Sequence, residues 1–362
     1  MIELEYNTLR FSFPEVHRVA ELFLDFRRTL RMPDDGKLYE LPPGFDEFPL
    51  FHVDDFSENI PESWKIHGGV MLPMYQSEAF WMDITSHSKE LRTPKEKRNF
   101  SDDWIWKFSK YPFAIKVAAG KINALTGEPW DEELNNDPQD YMVSTRQPWL
   151  DGFCVEEGII RQFVAMSLGS GYTAEEQLTE EAQHGGLQIL VYPMKRESYD
   201  RFFPPVKETA YAHEMEDNCP YGGESMVCAR SEMGLAPGGT MKQEIYKDYF
   251  GIDAWDMHHS SRCYVHIANS LMWRAITGKE PPTVPFTAKE YEDENLPWFQ
   301  YYDEDAQPIC GSKKLEDLKS VVEMGKEKGD APLPENGSVN PTNIVTLHHV
   351  LSKHLVREGT AW

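Results

Sequence analysis

Between residues 147 and 195 the chain alternates short apolar runs with turn-forming residues, and this spacing limits its fold more than any other feature. Residues 159–166, Ile-Ile-Arg-Gln-Phe-Val-Ala-Met, and 187–194, Leu-Gln-Ile-Leu-Val-Tyr-Pro-Met, are each bounded by glycine. Runs of this length rich in β-branched and aromatic residues read as strands, because a helix with one buried face needs a longer periodic stretch. Asp151-Gly152 favours a two-residue hairpin turn, so a hairpin is expected there. The loop Gly169-Ser170-Gly171 leads to Thr173 and Glu176, whose spacing fits a capping box and predicts a short helix.

The same pattern extends from about residue 110 to 275 and includes FAIKVAA at 113–119 and SRCYVHIAN at 261–269. Short strands divided by Gly, Pro and Asp-Gly argue for hairpins and against βαβ units. The expected class is therefore β-rich α+β with antiparallel sheets. An N-terminal strand is expected over 4–13. Residues 15–31 place Val16, Phe23, Phe26 and Leu30 at helical spacing, which reads as an amphipathic helix or as a long strand with bulges. Leu315, Leu318 and Val322, then Ile344, Leu347, Leu351 and Leu355, predict a helical C-terminal third. The expected organisation is one large β-rich domain over 1–328, open to division into sheet halves near residue 195. A linker over 329–341 and a terminal helix over 342–362 follow.

The net charge of −24 restricts partners. Nucleic acids and anionic lipid surfaces are held by Lys and Arg, so neither is an expected partner. No apolar run reaches the roughly 18 residues of a membrane span. The five cysteines are odd in number and form no Cys-x-x-Cys, which fits a reducing compartment. The first residues, MIELEYNTLRFSF, lack the apolar segment of a signal peptide, so a cytoplasmic location is expected.

Candidate sites are few. His258, His259, Cys263 and His266 are residue types that suit a divalent metal such as zinc. On a helix three of them would share a face, but the β-branched surroundings predict a strand, on which Cys263 and His266 point to opposite sides. Pro237-Gly238-Gly239 reads as a strong turn, and with Thr240 as a helix cap and Lys242 beside it forms a candidate anion loop. Arg161 lies inside an apolar strand and is a candidate ligand-binding residue or one half of an internal ion pair. Residues 131–140 form an acidic loop without the order of a calcium-binding loop. Cys154 and Cys263 are candidate nucleophiles with no accompanying signature, and His184 stands before two glycines.

With no catalytic constellation in view, the expected function is binding or assembly, by self-association or with a protein partner. Aromatic residues in Pro-rich loops support it: Trp130, Trp149, Trp298, Phe299, Tyr301 and Tyr302 suit interface hot spots or a local core under long loops. The alternative is a hydrolase that uses a metal or a cysteine–histidine pair. A third reading takes the acidic run 290–305 as a surface for a basic partner.

Overall fold

The computed structural model describes residues 1–85, 111–203, 232–293, 297–302, 306–330, 339, 341 and 343–348. The chain opens as a meander, in which β1 (Ile2–Glu5) pairs antiparallel with β2 (Thr8–Ser12) and β2 with β3 (Glu21–Thr29). Of the two readings of 15–31 the helix does not form and the long strand does, with a register shift between Arg27 and Thr29. The helical spacing of Phe23, Phe26 and Leu30 coincides with a stricter period of two, which sends Leu22, Leu24 and Phe26 into the main core. Asp25 is buried as well and accepts from the Thr8 hydroxyl on the neighbouring strand.

Helix α1 (Glu62–His67) precedes β4 (Val70–Pro73) and β5 (Ala79–Thr85), and β5 pairs with β3 along seven residues. Strand β6 (Phe113–Ala119) is buried on both faces, as its apolar run predicts. Strands β7 (Gly152–Glu156) and β8 (Ile159–Ser167) form a hairpin, but its turn is Glu157-Gly158, where Gly158 takes φ 72°. The turn expected at Asp151-Gly152 is extended chain. Gly152 is needed there because a Cβ would overlap the carbonyl of Arg161 across the hairpin. The Thr173–Glu176 capping box is present and opens α2 (Ala174–Thr179).

Strand β9 (Leu187–Pro193) lies between β6 and β11 (Ser261–Ala268), antiparallel to both. Helix α3 (Arg196–Phe202) follows β9. Strand β10 (Glu232–Lys242) pairs with β8 and, at its first residues, with β11. Strand β11 also takes β4 as a parallel partner. The segment between β6 and β7 leads one edge of the sheet back to the other: Met142–Val143 pairs with β6 and Trp149–Leu150 with β5. One hydrophobic core, drawn from Phe11 and Leu24 at one end and Val117, Ile189 and Val265 at the other, fills the curl.

After β11 come α4 (Ser270–Thr277), α5 (Ala288–Asp293), β12 (Trp298–Tyr302), α6 (Lys313–Glu316), α7 (Val321–Lys328) and β13 (Ile344–His348). The helical C-terminal third is not what forms. Ser320 caps a new helix with Glu323 and so divides the helix expected over 314–327 into α6 and α7. The terminal helix expected over 342–362 is a strand over 344–348, paired parallel with β12, and residues 349–362 lie outside the described residues. Ile344, Val345 and Thr346 are β-branched, and a strand partner more than forty residues upstream decides between the two periods. Among the described residues no helix is long and apolar enough to cross a membrane.

Candidate functional site

The metal-type residues separate. On β11, Cys263 joins Val265 and Ile267 in the main core, whereas His266 shares the opposite face with Arg262 and Tyr264. His258 and His259 precede the strand and are exposed, and His259 Nδ1 sits 2.8 Å from Asp256. Among the described residues no three His, Cys, Asp or Glu side chains come together as a metal-holding group. His266 instead stacks on Trp64 and shares its face with Tyr264, whose ring touches that of His67. His67 and His184 each stand directly before a Gly-Gly pair, and the strands that follow, β4 and β9, flank β11 at Val265 on its two sides. The glycines are required, because a Cβ at Gly69 would overlap the carbonyl of Tyr264 and one at Gly186 would crowd that of Val265. The repeated His-Gly-Gly, at 67–69 and 184–186, is the signal in the sequence that could have marked these two turns.

The anion loop also dissolves. Pro237, Gly238 and Gly239 lie within β10, where the register against β8 shifts between Arg161 and Phe163. This is a bulge, and its glycines admit close neighbours: Val164 packs against Gly238, and the carbonyl of Pro33 against Gly239. Thr240 donates to the carbonyl of Lys37 at 2.8 Å, and Lys242 Nζ lies 2.5 Å from Glu40. Arg161 donates to the carbonyl of Leu318 and stands 3.9 Å from Glu323 on α7. The internal carboxylate expected for it is therefore a half-exposed one, and the arginine ties α6 and α7 to the sheet.

The acidic loop does converge on a cation, and that cation is a lysine. Lys116 is buried in β6 and donates to Asp131 at 2.6 Å and to the carbonyl of Glu133 at 2.5 Å, with Asp140 at 2.8 Å. Burial pushes the thiols of Cys154 and Cys263 up to about 12, which keeps both in the weakly nucleophilic thiol form. The loop aromatics mostly pack inward. Trp298 is buried, Trp149 lies against Trp81 and Tyr301, and Trp130 stands over Lys116.

Aromatic exposure occurs elsewhere, on a ridge that loop choice in the sequence did not single out. At the end of α3 Phe202 is 39% exposed, Tyr249 is 47% exposed, and Ile252, two residues after Phe250 in the chain, is 36% exposed. The buried ring of Phe250 supports them, 4.9 Å from Phe202 and 3.9 Å from Tyr249. Cations complete the ridge: Arg146 lies over Tyr249 at 4.3 Å and Arg201 over Phe202 at 4.6 Å. Asp248 holds the supporting loop in place. Its carboxylate accepts from the Tyr141 hydroxyl at 2.6 Å, the Trp255 indole at 2.8 Å and the backbone N–H of Phe250 at 2.8 Å. That carboxylate and burial together drive the Tyr141 phenol well above its ordinary value.

Fold and surface together define a β-rich α+β protein with an antiparallel sheet and a supported aromatic–arginine ridge. No known family, curated protein or solved structure matches the chain.

Proposed function

We propose that this protein acts by binding, and that the ridge of Phe202, Tyr249 and Ile252 is the surface through which it self-associates in the cytoplasm. The observation that carries the reading is the ridge itself, where two half-exposed aromatic rings lie under guanidinium groups on a buried support. Tyr, Phe and Arg held rigidly are the residue types from which interface hot spots are made. Rings and guanidiniums alternate on one patch, so two copies related by a two-fold axis can place each other's arginines on each other's rings. The ridge cations also meet a surface that is acidic elsewhere, since the whole chain carries −24. The odd number and low density of cysteines motivate the reducing location. The hydrolase alternative gains nothing from the two buried thiols, whose burial keeps them protonated.

Light scattering on size-fractionated protein over a hundred-fold range of concentration tests the reading. The wild type is expected to rise above the mass of one chain, and Phe202→Ser combined with Tyr249→Ser to return to it. Loss of two hot-spot side chains, at about 2 kcal/mol each, weakens association by about a thousand-fold if the two add. A wild type that keeps the mass of one chain at every concentration ends the self-association reading.

A further inference from the structure

We propose that His266 is an acid-sensitive latch, which lets go of α1 and the Gly68-Gly69 turn when its imidazole takes up a proton. The ring is buried on the outer face of β11, and its Nε2 lies 2.9 Å from the carbonyl oxygen of Gly68. A neutral imidazole with its proton on Nε2 donates to that carbonyl and holds the turn to the strand. The ring stacks at 4.5 Å on Trp64, the buried residue of α1. Tyr264, two residues earlier on β11, stacks at 6.3 Å on His266 and touches the ring of His67 at 4.6 Å. Four rings, Trp64, His266, Tyr264 and His67, thus form the contact between α1 and β11. The backbone of Gly69 runs so close to the Tyr264 carbonyl that a Cβ there would overlap it.

The charges around the ring do not welcome a cation. On α1 the group that acts on it is His67, whose own protonation repels a second charge, while Lys65 pairs with Glu62. From β10, Glu232 accepts from the Ser63 hydroxyl at 3.1 Å. Beyond β9, His184 faces Lys121 and His67, with Glu181 acting in the opposite sense, and Glu175 is taken up by the N–H groups of His184 and Gly185. The strand β4 presents Met71, opposite His266, and α4 presents Met272, Trp273 and Ile276, with Arg274 paired to Glu280. The bond to the Gly68 carbonyl, which a protonated ring donates more strongly, and stacking on Trp64 compensate the charge in part, so release is driven by the cost of burying the cation and not by loss of that bond. Burial outweighs both and lowers the imidazole to about 4. The sign follows: a histidine lowered on folding stabilises the closed latch above its ordinary value of 6.5, and the stabilisation is lost as pH falls from there towards 4.

Hydrogen–deuterium exchange, corrected for the intrinsic pH dependence of exchange, tests this on the full chain. The α1 amides and that of Gly68, which bonds to the carbonyl of Trp64, are expected to lose protection by about 30-fold between pH 7.5 and pH 5, while those of β9 hold theirs. His266→Gln keeps an N–H that can reach the Gly68 carbonyl and cannot titrate, so its protection should not change with pH beyond that of β9. Should that variant fail to fold, NMR titration of the wild-type His266 ring decides in its place, with a midpoint below 5 supporting the latch and one at 6 or above overturning it. Equal protection of α1 at both pH values in the wild type, or equal acid loss in the glutamine variant, also overturns it.

Discussion

Replacing Lys116 by methionine is expected to remove about 3–5 kcal/mol of folding stability, a large part of what holds a domain together. The ammonium group is buried, and so is the Asp140 carboxylate opposite it at 2.8 Å. Asp131 is largely exposed and regains water once its partner is lost, so the penalty falls on Asp140. That carboxylate also organises the loop, accepting from Asn135 at its backbone N–H and its side-chain amide, while the Asp140 carbonyl accepts from Asn123. Urea unfolding of Lys116→Met, Asp140→Asn and the double variant checks the claim. The double variant should recover part of the loss, because it leaves no buried charge unpaired. A loss below about 1 kcal/mol for Lys116→Met would show that the pair is hydrated and that the loop does not depend on it.

Asp151→Asn is expected to act in the opposite direction and to stabilise the protein at alkaline pH by about 4 kcal/mol. The Asp151 side chain is fully enclosed beside Gln243, which donates to it at 2.8 Å and accepts from its backbone N–H at 3.0 Å. Burial pushes this carboxyl up to about 7, against an ordinary value of 3.8. The folded state therefore binds the proton more tightly than the unfolded one. Stability falls as pH rises from about 4 through 7, and the full penalty of the buried carboxylate is present above that range. Asparagine accepts the same bond from Gln243 without a charge. Glu78, buried beside Arg28 and also raised to about 7 by burial, adds to the wild-type trend in the same sense. Thermal unfolding at pH 5 and pH 8.5 separates the cases. The variant should gain about 4 kcal/mol at pH 8.5 and about 1.5 kcal/mol at pH 5. An equal loss at both values would mean that the packing around Asp151, and not its charge, sets the effect.

Local grammar made much of the sheet legible. The runs at 113–119, 159–166 and 187–194 are strands because seven or eight mostly apolar residues next to glycine are too short for a helix with one buried face, and the Thr173–Glu176 cap opens its helix as expected. Alternation on β11 also separated Cys263 from His266 before any partner was known. Other positions carried a local signal that a distant neighbour overruled. Asp151-Gly152 and Pro237-Gly238-Gly239 have turn chemistry, yet their glycines serve the close approach of Arg161 and Pro33. Residues 344–348 carry a helical stripe and β-branched side chains together, and pairing with β12 selects the strand.

The sequence alone determined the β-rich class, the antiparallel hairpins and the split of the metal-type residues across a strand, because period and turn chemistry act over a few residues. Tertiary structure alone decided which charges and rings meet. Lys116 reads as an ordinary polar residue until Asp131 and Asp140 close over it. Trp64 and His67 lie about two hundred residues from Tyr264 and His266 until β4 takes its place beside β11. Phe202 and Tyr249 become a ridge only when Phe250 fills the space beneath them. Each of these depends on strand pairing between distant segments, and long-range pairing is settled by burial of the whole core and not by any local run of residues.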